Sequence, residues 1–473
     1  MQSLWGDDFI LPDNKEKTEN VLQKLNDIEE LDEASIKKYA RSSKVSLLDK
    51  LNVINEYVRK TLREHISTTQ VIKSKQELIT YFDTIIKDGV LAYDTETNNS
   101  LDPFTGKIIG LCLYSPSNKP AYVPINHINP TTNERLDWQV SEEDCREQMQ
   151  RLVDNNFKII THNGGFDYKF TKLSIGVSFP IYWDTMIACR LINENDVSAA
   201  LKWQYKDKVD KNHPLYDIDS MFPNIPYAVV DPDIFALYSA TDSLMTYKLY
   251  EYQLKIFTQK EEEGSYRLFR NIEMPLIIPV AEMELDGIKL DLDYAKRLHD
   301  KYESKLSEYD EKLNNMLSEI APTIESWRLS KEANEKEKSY AKNNKKSNTY
   351  NLQDEKGWYK YNKSKTEILE DPINLESPAQ LSILLYDILH YEPYDSDSPR
   401  STDKYALEFF AKEKNSELCK NILERRQILT LLDDFINKLP TLVNSVTGKI
   451  HCNFNQLGKE DKGVVTGWWW RPR

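Results

Sequence analysis

The segment "VLAYDTET", Val90 to Thr97, limits what this chain can fold into more than any other. An apolar run suited to a buried strand leads straight into an acid, a threonine and a second acid. Residues two apart in a strand point to the same face, so Asp94 and Glu96 would lie side by side while Tyr93 and Thr95 face away. Like charges held that close repel, and hard divalent ions, which prefer carboxylate oxygen, offset such repulsion. The flanking sequence supplies the rest of a sheet. "KQELITYFDTIIKD" has helical spacing ahead of this strand, and "KIIGLCLY" and "KPAYVPI" read as two further strands of a meander. "SEEDCREQMQRLVDNN" opens with Ser141 and Asp144 at the spacing of a capping box. "FKIIT" is a fourth strand, running into the helix-forming "HNGGFDYKFTKL", where Phe166, Phe170 and Leu173 fall on one face. A long helix follows over roughly Pro232 to Phe257. Strands first, then strands alternating with helices, predict a mixed α/β sheet covered by helices.

At 473 residues the chain is too long for one core, and roughly three domains are expected. Apolar residues make up 40% and charged residues 29%, and no run of about 18 apolar residues exists to span a bilayer. The N-terminal "MQSLWGDDFILPDNKEK" lacks the basic start and apolar stretch of a secretion signal, so no membrane association and a cytosolic location are expected. Cys112, Cys145, Cys189, Cys419 and Cys452 are scattered without zinc-binding spacing and read as reduced structural thiols. Residues 1–70 read as mostly helical and polar, with Leu22, Leu25 and Ile28 at helical spacing and no catalytic pattern. A net charge of −14 argues against a protein that coats polyphosphate non-specifically. One local exception runs from Lys338 to Lys365, where eight lysines against two acids alternate with Tyr340, Tyr350, Trp358, Tyr359 and Tyr361, the composition of a nucleic-acid contact surface or of a surface loop.

More acids fall where the first pair would be. Asp167 opens the helix after the strand ending at Thr161, and in α/β sheets sites form at the carboxyl ends of strands, so Asp167 is expected to meet Asp94 and Glu96. Gly164 and Gly165 would let a nucleic-acid backbone approach there. In the later helix Tyr238 stands one turn ahead of Asp242, which puts a phenol and a carboxylate on one face.

Taken in order, Asp-x-Glu after a strand, Asn-x-x-Phe-Asp and Tyr-x-x-x-Asp resemble the three exonuclease motifs of the 3′ to 5′ proofreading family, over about residues 71–262. The resemblance implies a ribonuclease H-like fold, with a mixed sheet and flanking helices, and hydrolysis of 3′-terminal nucleotides with two divalent ions, Mg²⁺ or Mn²⁺. By the same resemblance Asp94 would bridge both ions, Glu96 and Asp242 would complete the site of the attacking water, and Asp167 would hold the second ion, partly through waters. Tyr238 would orient that water. Thr95, Leu101, Asn163 and Phe166 would contact substrate, Leu101 as an apolar wedge one residue further from Glu96 than the family pattern has it.

The second half resembles bacterial and phage DNA polymerases of family A. "NIEMPLIIPVAEMELDGIKLD" is similar to the segment joining their exonuclease and polymerase domains, and four stretches between Ile373 and Gly458 resemble their mostly helical thumb in order. The expected organisation is therefore a helical extension at 1–70, the exonuclease at 71–262, a linker and thumb-like region at 263–467 with a lysine-rich insertion at 331–366, and an atypical tail at 468–473. "VVTG" is followed by "WWWRPR" where the family continues into palm and fingers, which resembles an interrupted coding region. Expected partners are single-stranded DNA 3′ ends, primer-template DNA and a second polypeptide carrying palm and fingers, in bacterial or phage-infected cytoplasm. Two other readings stay open on the sequence: an exoribonuclease of the ribonuclease D type, which shares the five acidic and tyrosyl positions, and a non-catalytic DNA-binding or assembly subunit.

Overall fold

The computed structural model describes residues 33–213, 222–329, 349–354, 357–362, 369, 372–457 and 469–472. They divide into two compact units, one holding the described residues through Ile288 and from Asn444 onward, the other Lys289–Val443.

The first unit is built on six strands: β1 Gln70–Val71, β2 Val90–Thr97, β3 Ile108–Tyr114, β4 Ala121–Pro124, β5 Lys158–Thr161 and β6 Trp183–Asp184, in the order β1-β4-β3-β2-β5-β6. β2, β3 and β4 form the antiparallel meander, while β5 and β6 continue the sheet in parallel on the other side of β2. The acidic strand is thus central, with a carboxyl end shared by its parallel neighbour. On one face lie helices Lys75–Asp88, Glu142–Asp154 and Gly164–Phe170, whose Phe82, Met149 and Phe170 pack with Tyr93, Leu111 and Leu113. Ser74 and Ser141 cap the first two by accepting from the amides of Glu77 and Asp144. On the other face helix Pro232–Phe257 lays Phe235, Ala236 and Ala240 over Ile109, Cys112 and Tyr122. Because β3 is covered on both faces, every one of its residues is buried and its sequence is a continuous apolar run. Truncating the fully buried Phe235 to alanine would cost about 3–5 kcal/mol.

The helix after β5 departs from its expected face. Phe166 and Phe170 meet with ring centroids 4.7 Å apart, but Leu173 is exposed and Ile175 is buried instead. Residues Thr171–Ile175 form a π turn, whose extra residue per turn rotates the following side chains out of phase with a 3.6-residue repeat.

Helix Met274–Asp286 and the segment from Asn444 also pack into this unit, with Ile277 and Ala281 entering its cores. Gly287 joins them at φ +62, where a Cβ would lie 2.7 Å from the ring of His451, so the turn requires glycine. The strand Trp469–Pro472 pairs antiparallel with Cys452–Asn455.

The second unit is mostly helical, with helices Leu292–Glu319, Ala321–Arg328, Lys404–Glu413 and Glu417–Leu431. Leu298, Tyr302, Leu306 and Tyr309, spaced three and four apart, make the stripe that meets Ile428, Leu432 and Ile436. Within the lysine-rich segment the backbone of Thr349–Asp354 and Gly357–Asn362 forms an antiparallel hairpin; the rest of 331–366, like Leu22, Leu25 and Ile28, lies outside the described residues.

Candidate active site

β2 delivers its two acids to the face under helix Pro232–Phe257. Alternation sends Tyr93 and Thr95 the other way, where the Tyr93 hydroxyl lies 2.7 Å from Thr171 Oγ1. A register shift between Glu96 and Thr97 ends the regular pairing just after the second acid. Opposite Glu96 on β3 stands Gly110, where any Cβ would fall 2.3 Å from the Tyr122 ring. Opposite Asp94 stands Cys112.

Asp167 reaches Asp94 from the far side of the strand. Its Oδ1 accepts from both the Thr95 amide (2.9 Å) and the Thr95 hydroxyl (2.7 Å), so one residue of β2 fixes the carboxylate. The helix carrying it begins at Asn163, held left-handed at φ +68. Gly164 is required by packing, since a Cβ there would meet Thr161 Oγ1 at 2.2 Å, whereas Gly165 has only Ile277 at 3.7 Å and leaves room for an approaching backbone. Asp184, buried at the end of β6, ties the turn together. It accepts from the Gly164 amide at 2.6 Å through one oxygen and from the Met186 and Ile187 amides through the other.

The long helix closes the crevice. Ser239, Ala240 and Ser243 are small and wholly buried, and the two hydroxyls donate back to Phe235 and Ala240 carbonyls, so the helix can lie close to the sheet without orphaned polar groups. Tyr238 and Asp242 flank this contact. Asp242 Oδ1 is buried without a hydrogen bond; Lys202 Nζ, from helix Leu201–Lys208, is 3.6 Å away and lies 3.8 Å from the centroid of the Tyr238 ring.

Electrostatics mark the same place. Burial, then the charges of Asp167, Glu96 and Asp242, push the Asp94 carboxyl well above its usual range, with Lys202 opposing. Burial raises Asp167 to about 7 against the pull of the Thr95 hydrogen bonds, and Asp242 to about 6 against Lys202. Burial and the same acids raise Tyr238 so far that it stays a neutral phenol. Candidate ligand atoms of Asp94, Glu96 and Cys112 all lie within 4.8 Å of one another. Crowded carboxylates at the mouth of a sheet, answered by Lys202 alone among the charges that act on Asp94 and Asp242, are a donor set that fits divalent cations.

Asp94, Glu96, Asp167, Tyr238 and Asp242 are therefore brought together. Thr95 is buried and bonded to Asp167, Phe166 is packed partly into the core, and Leu101 is 70% exposed after the end of β2. Lys202 and Cys112 were not legible from the sequence. Lys202 is one of several lysines on a polar helix and only folding selects it; Cys112 needed the register of β2 against β3. His162, whose Nδ1 meets the Thr185 hydroxyl at 2.8 Å and which burial lowers to about 4, was likewise missed. Beside the crevice a cleft of about 910 Å³ is lined by Asn98, Asn99, Asn126, Lys107, Arg135 and Tyr227 among others.

Residues 69–256 match the family model "3'-5' exonuclease", and residues 344–462 match "DNA polymerase family A". DNA polymerase I of Borreliella burgdorferi is 26% identical over 84% of this chain and 36% of its own length, and the DNA polymerase of Bacillus phage SP01 is 26% identical over 67% and 34%. Among solved structures, the POL domain of Pol1 from M. smegmatis, in complex with DNA primer-template and dNTP, superposes with a TM-score of 0.54 at 15% identity, over 82% of this chain and 53% of that one, a likeness of fold. The chain spans about a third of the length of these curated relatives. With the ribonuclease H-like sheet in place and both family models in order along the sequence, the chain carries a 3′–5′ exonuclease domain at residues 69–256 and is similar to DNA polymerases of family A over residues 344–462.

Proposed function

We propose that this chain removes nucleotides from the 3′ ends of DNA by metal-dependent hydrolysis, as the proofreading part of a family A polymerase. The observation that carries the reading is the convergence of four carboxylates and one neutral phenol on a single crevice, where the charges of Asp167, Glu96 and Asp242 all bear on Asp94. Two divalent ions, Mg²⁺ or Mn²⁺, would be held by Asp94, Glu96, Asp242 and Asp167, and when bound they supply an activated water and relief of phosphate charge.

The chain's own residues do the rest. Thr95 holds Asp167 through two hydrogen bonds, which keeps that carboxylate aimed past β2 towards Asp94. Tyr238, protonated throughout the neutral range, orients the attacking water as a hydrogen-bonding group and does not take its proton. Asn163 and the open side of Gly165 receive the terminal nucleotide, and the exposed Leu101 separates it from its neighbour. The amide-rich cleft at Asn98 and Asn99 takes the following bases, with Lys107 and Arg135 for phosphates.

The test is stepwise shortening of a 5′-labelled single-stranded DNA in Mg²⁺ or Mn²⁺, beside a matched RNA. Shortening of DNA from the 3′ end, abolished by chelation, is expected. Preferential digestion of the RNA would move the assignment to a ribonuclease D-type enzyme, and binding without shortening would leave a DNA-binding subunit.

A further inference from the structure

Residues 444–457 lie in the stretch that matches the polymerase family model, yet they fold into the first unit, against the exonuclease. Their hub is His451, buried and engaged at both ring nitrogens. Nδ1 lies 2.8 Å from the Glu284 carbonyl, which can only accept, so Nδ1 carries the proton and Nε2 takes the Thr447 hydroxyl at 2.7 Å. Glu284 is itself held. Its buried carboxylate pairs with Lys169, two residues beyond Asp167 on the same helix, and accepts from the Phe454 amide at 2.6 Å. The His451 ring is thereby fixed with respect to the helix that carries Asp167.

That ring meets Phe104, with centroids 4.1 Å apart. Phe104 belongs to the loop after β2, residues 100–106, which also carries Leu101. Asp102 ties the loop together by accepting from the Phe104 amide and the Thr105 hydroxyl, each at 3.0 Å, and Asn444 Nδ2 reaches the same carboxylate at 3.3 Å. At its far end Gly106 packs on Phe170, at the end of the Asp167 helix, where a Cβ would lie 2.9 Å from the ring. Leu101 is mostly exposed, so its direction is set by the loop beneath it and not by burial of its own side chain.

We propose that His451 is a positioning residue of the nuclease: through the ring of Phe104 it sets the place of the loop that presents Leu101 to the DNA end. The polymerase-like segment then completes the substrate side of the exonuclease, and a residue far along the sequence from every acid of the site governs how the strand is held. The inference rests on the part given to Leu101 in the proposed function. Because the contact acts on the strand and not on the reacting phosphate, its loss should appear in KM and spare kcat.

The experiment is the kinetics of Mn²⁺-driven shortening of a 5′-labelled single-stranded DNA by the full chain. Phe104→Ala should raise KM about tenfold and leave kcat within about twofold, and Phe104→Tyr, which keeps the ring, should restore the wild-type KM. His451→Ala, made from the other side of the contact, should raise KM to the same degree and add nothing to Phe104→Ala. In a Leu101→Ala background neither substitution should raise KM further, since both act through that side chain. Phe104 is only half-buried on a loop, so its variants carry the test even where His451→Ala fails to fold. A wild-type KM in Phe104→Ala, or effects that multiply with Leu101→Ala, would overturn the inference and leave the nuclease intact. No shortening by the unaltered chain would overturn the proposed function on which it stands.

Discussion

Two charged clefts of this chain answer their acids differently. In the crevice at β2 four carboxylates face Lys202, which pairs with Asp242 at 3.6 Å, and the carboxyls of Asp94, Asp167 and Asp242 are pushed upward by burial. In the cleft of residues 289–443 several acids are met one by one, although Asp433 and Asp434 also line it. Arg400 holds the buried Asp387 with two bonds of 2.8 and 2.6 Å, Arg425 takes Asp310 and Glu376, and Arg426 donates to the Thr402 and Leu375 carbonyls. Asp403 on its rim accepts from the Ala406 amide, which lowers its carboxyl. In the second cleft the buried Asp387 is answered as folded, so that pair serves the fold. The first is folded into unfavourable electrostatics that a bound cation relieves, and sites that bind ions are built that way.

The contrast breaks most plainly at Asp94. Asp94→Ala should abolish DNA shortening, by about a thousandfold or more, because an electrostatic anchor of the reacting phosphate is gone. Its melting temperature in chelator should hold or rise, since one member of a repelling set has been removed. A variant that melts lower and still cuts would put Asp94 among the structural acids.

Arg400→Ala should do the reverse. It removes both Arg400 bonds to Asp387, whose side chain is 6% exposed, and should cost about 2 kcal/mol in chemical unfolding while leaving single-strand shortening within twofold of wild type. Loss of cleavage without loss of stability would give the second cleft a functional charge after all.

pH separates the two by sign. Folding raises Asp167 to about 7 and Asp242 to about 6 from 3.8, so between about pH 4 and 7 the metal-free folded chain binds protons that the unfolded chain does not. Its stability therefore falls as pH rises through that window. Asp403, lowered on folding, contributes above its ordinary range and loses that contribution on acidification. Buried His127, lowered to about 4, also acts in this window, with stability lost as pH falls from about 6.5, so the comparison is made against Asp242→Asn, which shares His127. The wild-type-minus-variant difference should slope downward with pH in chelator and flatten on adding Mn²⁺. An upward slope would mean that Asp242 is answered in the folded chain as Asp403 is.

How much of this was legible follows from what each feature depends on. The helices at Lys75–Asp88 and Pro232–Phe257 and the strands of the meander match their sequence signals, because serine caps, apolar periodicity and strand alternation are local. Asp94, Glu96, Asp167, Tyr238 and Asp242 were visible as an ordered set on elements whose ends the sequence announces. Leu173 misled, because a π turn shifts phase without a signature in residue type. Lys202 and Cys112 were invisible for a different reason: each acquires its place from a tertiary neighbour, the Tyr238 ring in one case and the register of β3 on β2 in the other. Thr95 was expected at the substrate; the structure adds that its hydroxyl donates to Asp167, a pairing that depends on a tertiary neighbour.

Lys202 offers the smallest effect and the finest distinction between the clefts. At 3.6 Å from Asp242 and 3.8 Å from the centre of the Tyr238 ring it is the cation that holds two site residues in the metal-free crevice, and it also occupies the field that an incoming ion must enter. Lys202→Met keeps the aliphatic stem against the ring and removes the charge. With the competing charge gone, the Mn²⁺ needed for half-maximal rate should fall severalfold, while kcat falls about tenfold because Tyr238 and Asp242 are held less firmly. A rise in the Mn²⁺ requirement would show instead that Lys202 organises Asp242 for metal as Arg400 organises Asp387. The two clefts would then differ only in how many acids each cation must answer.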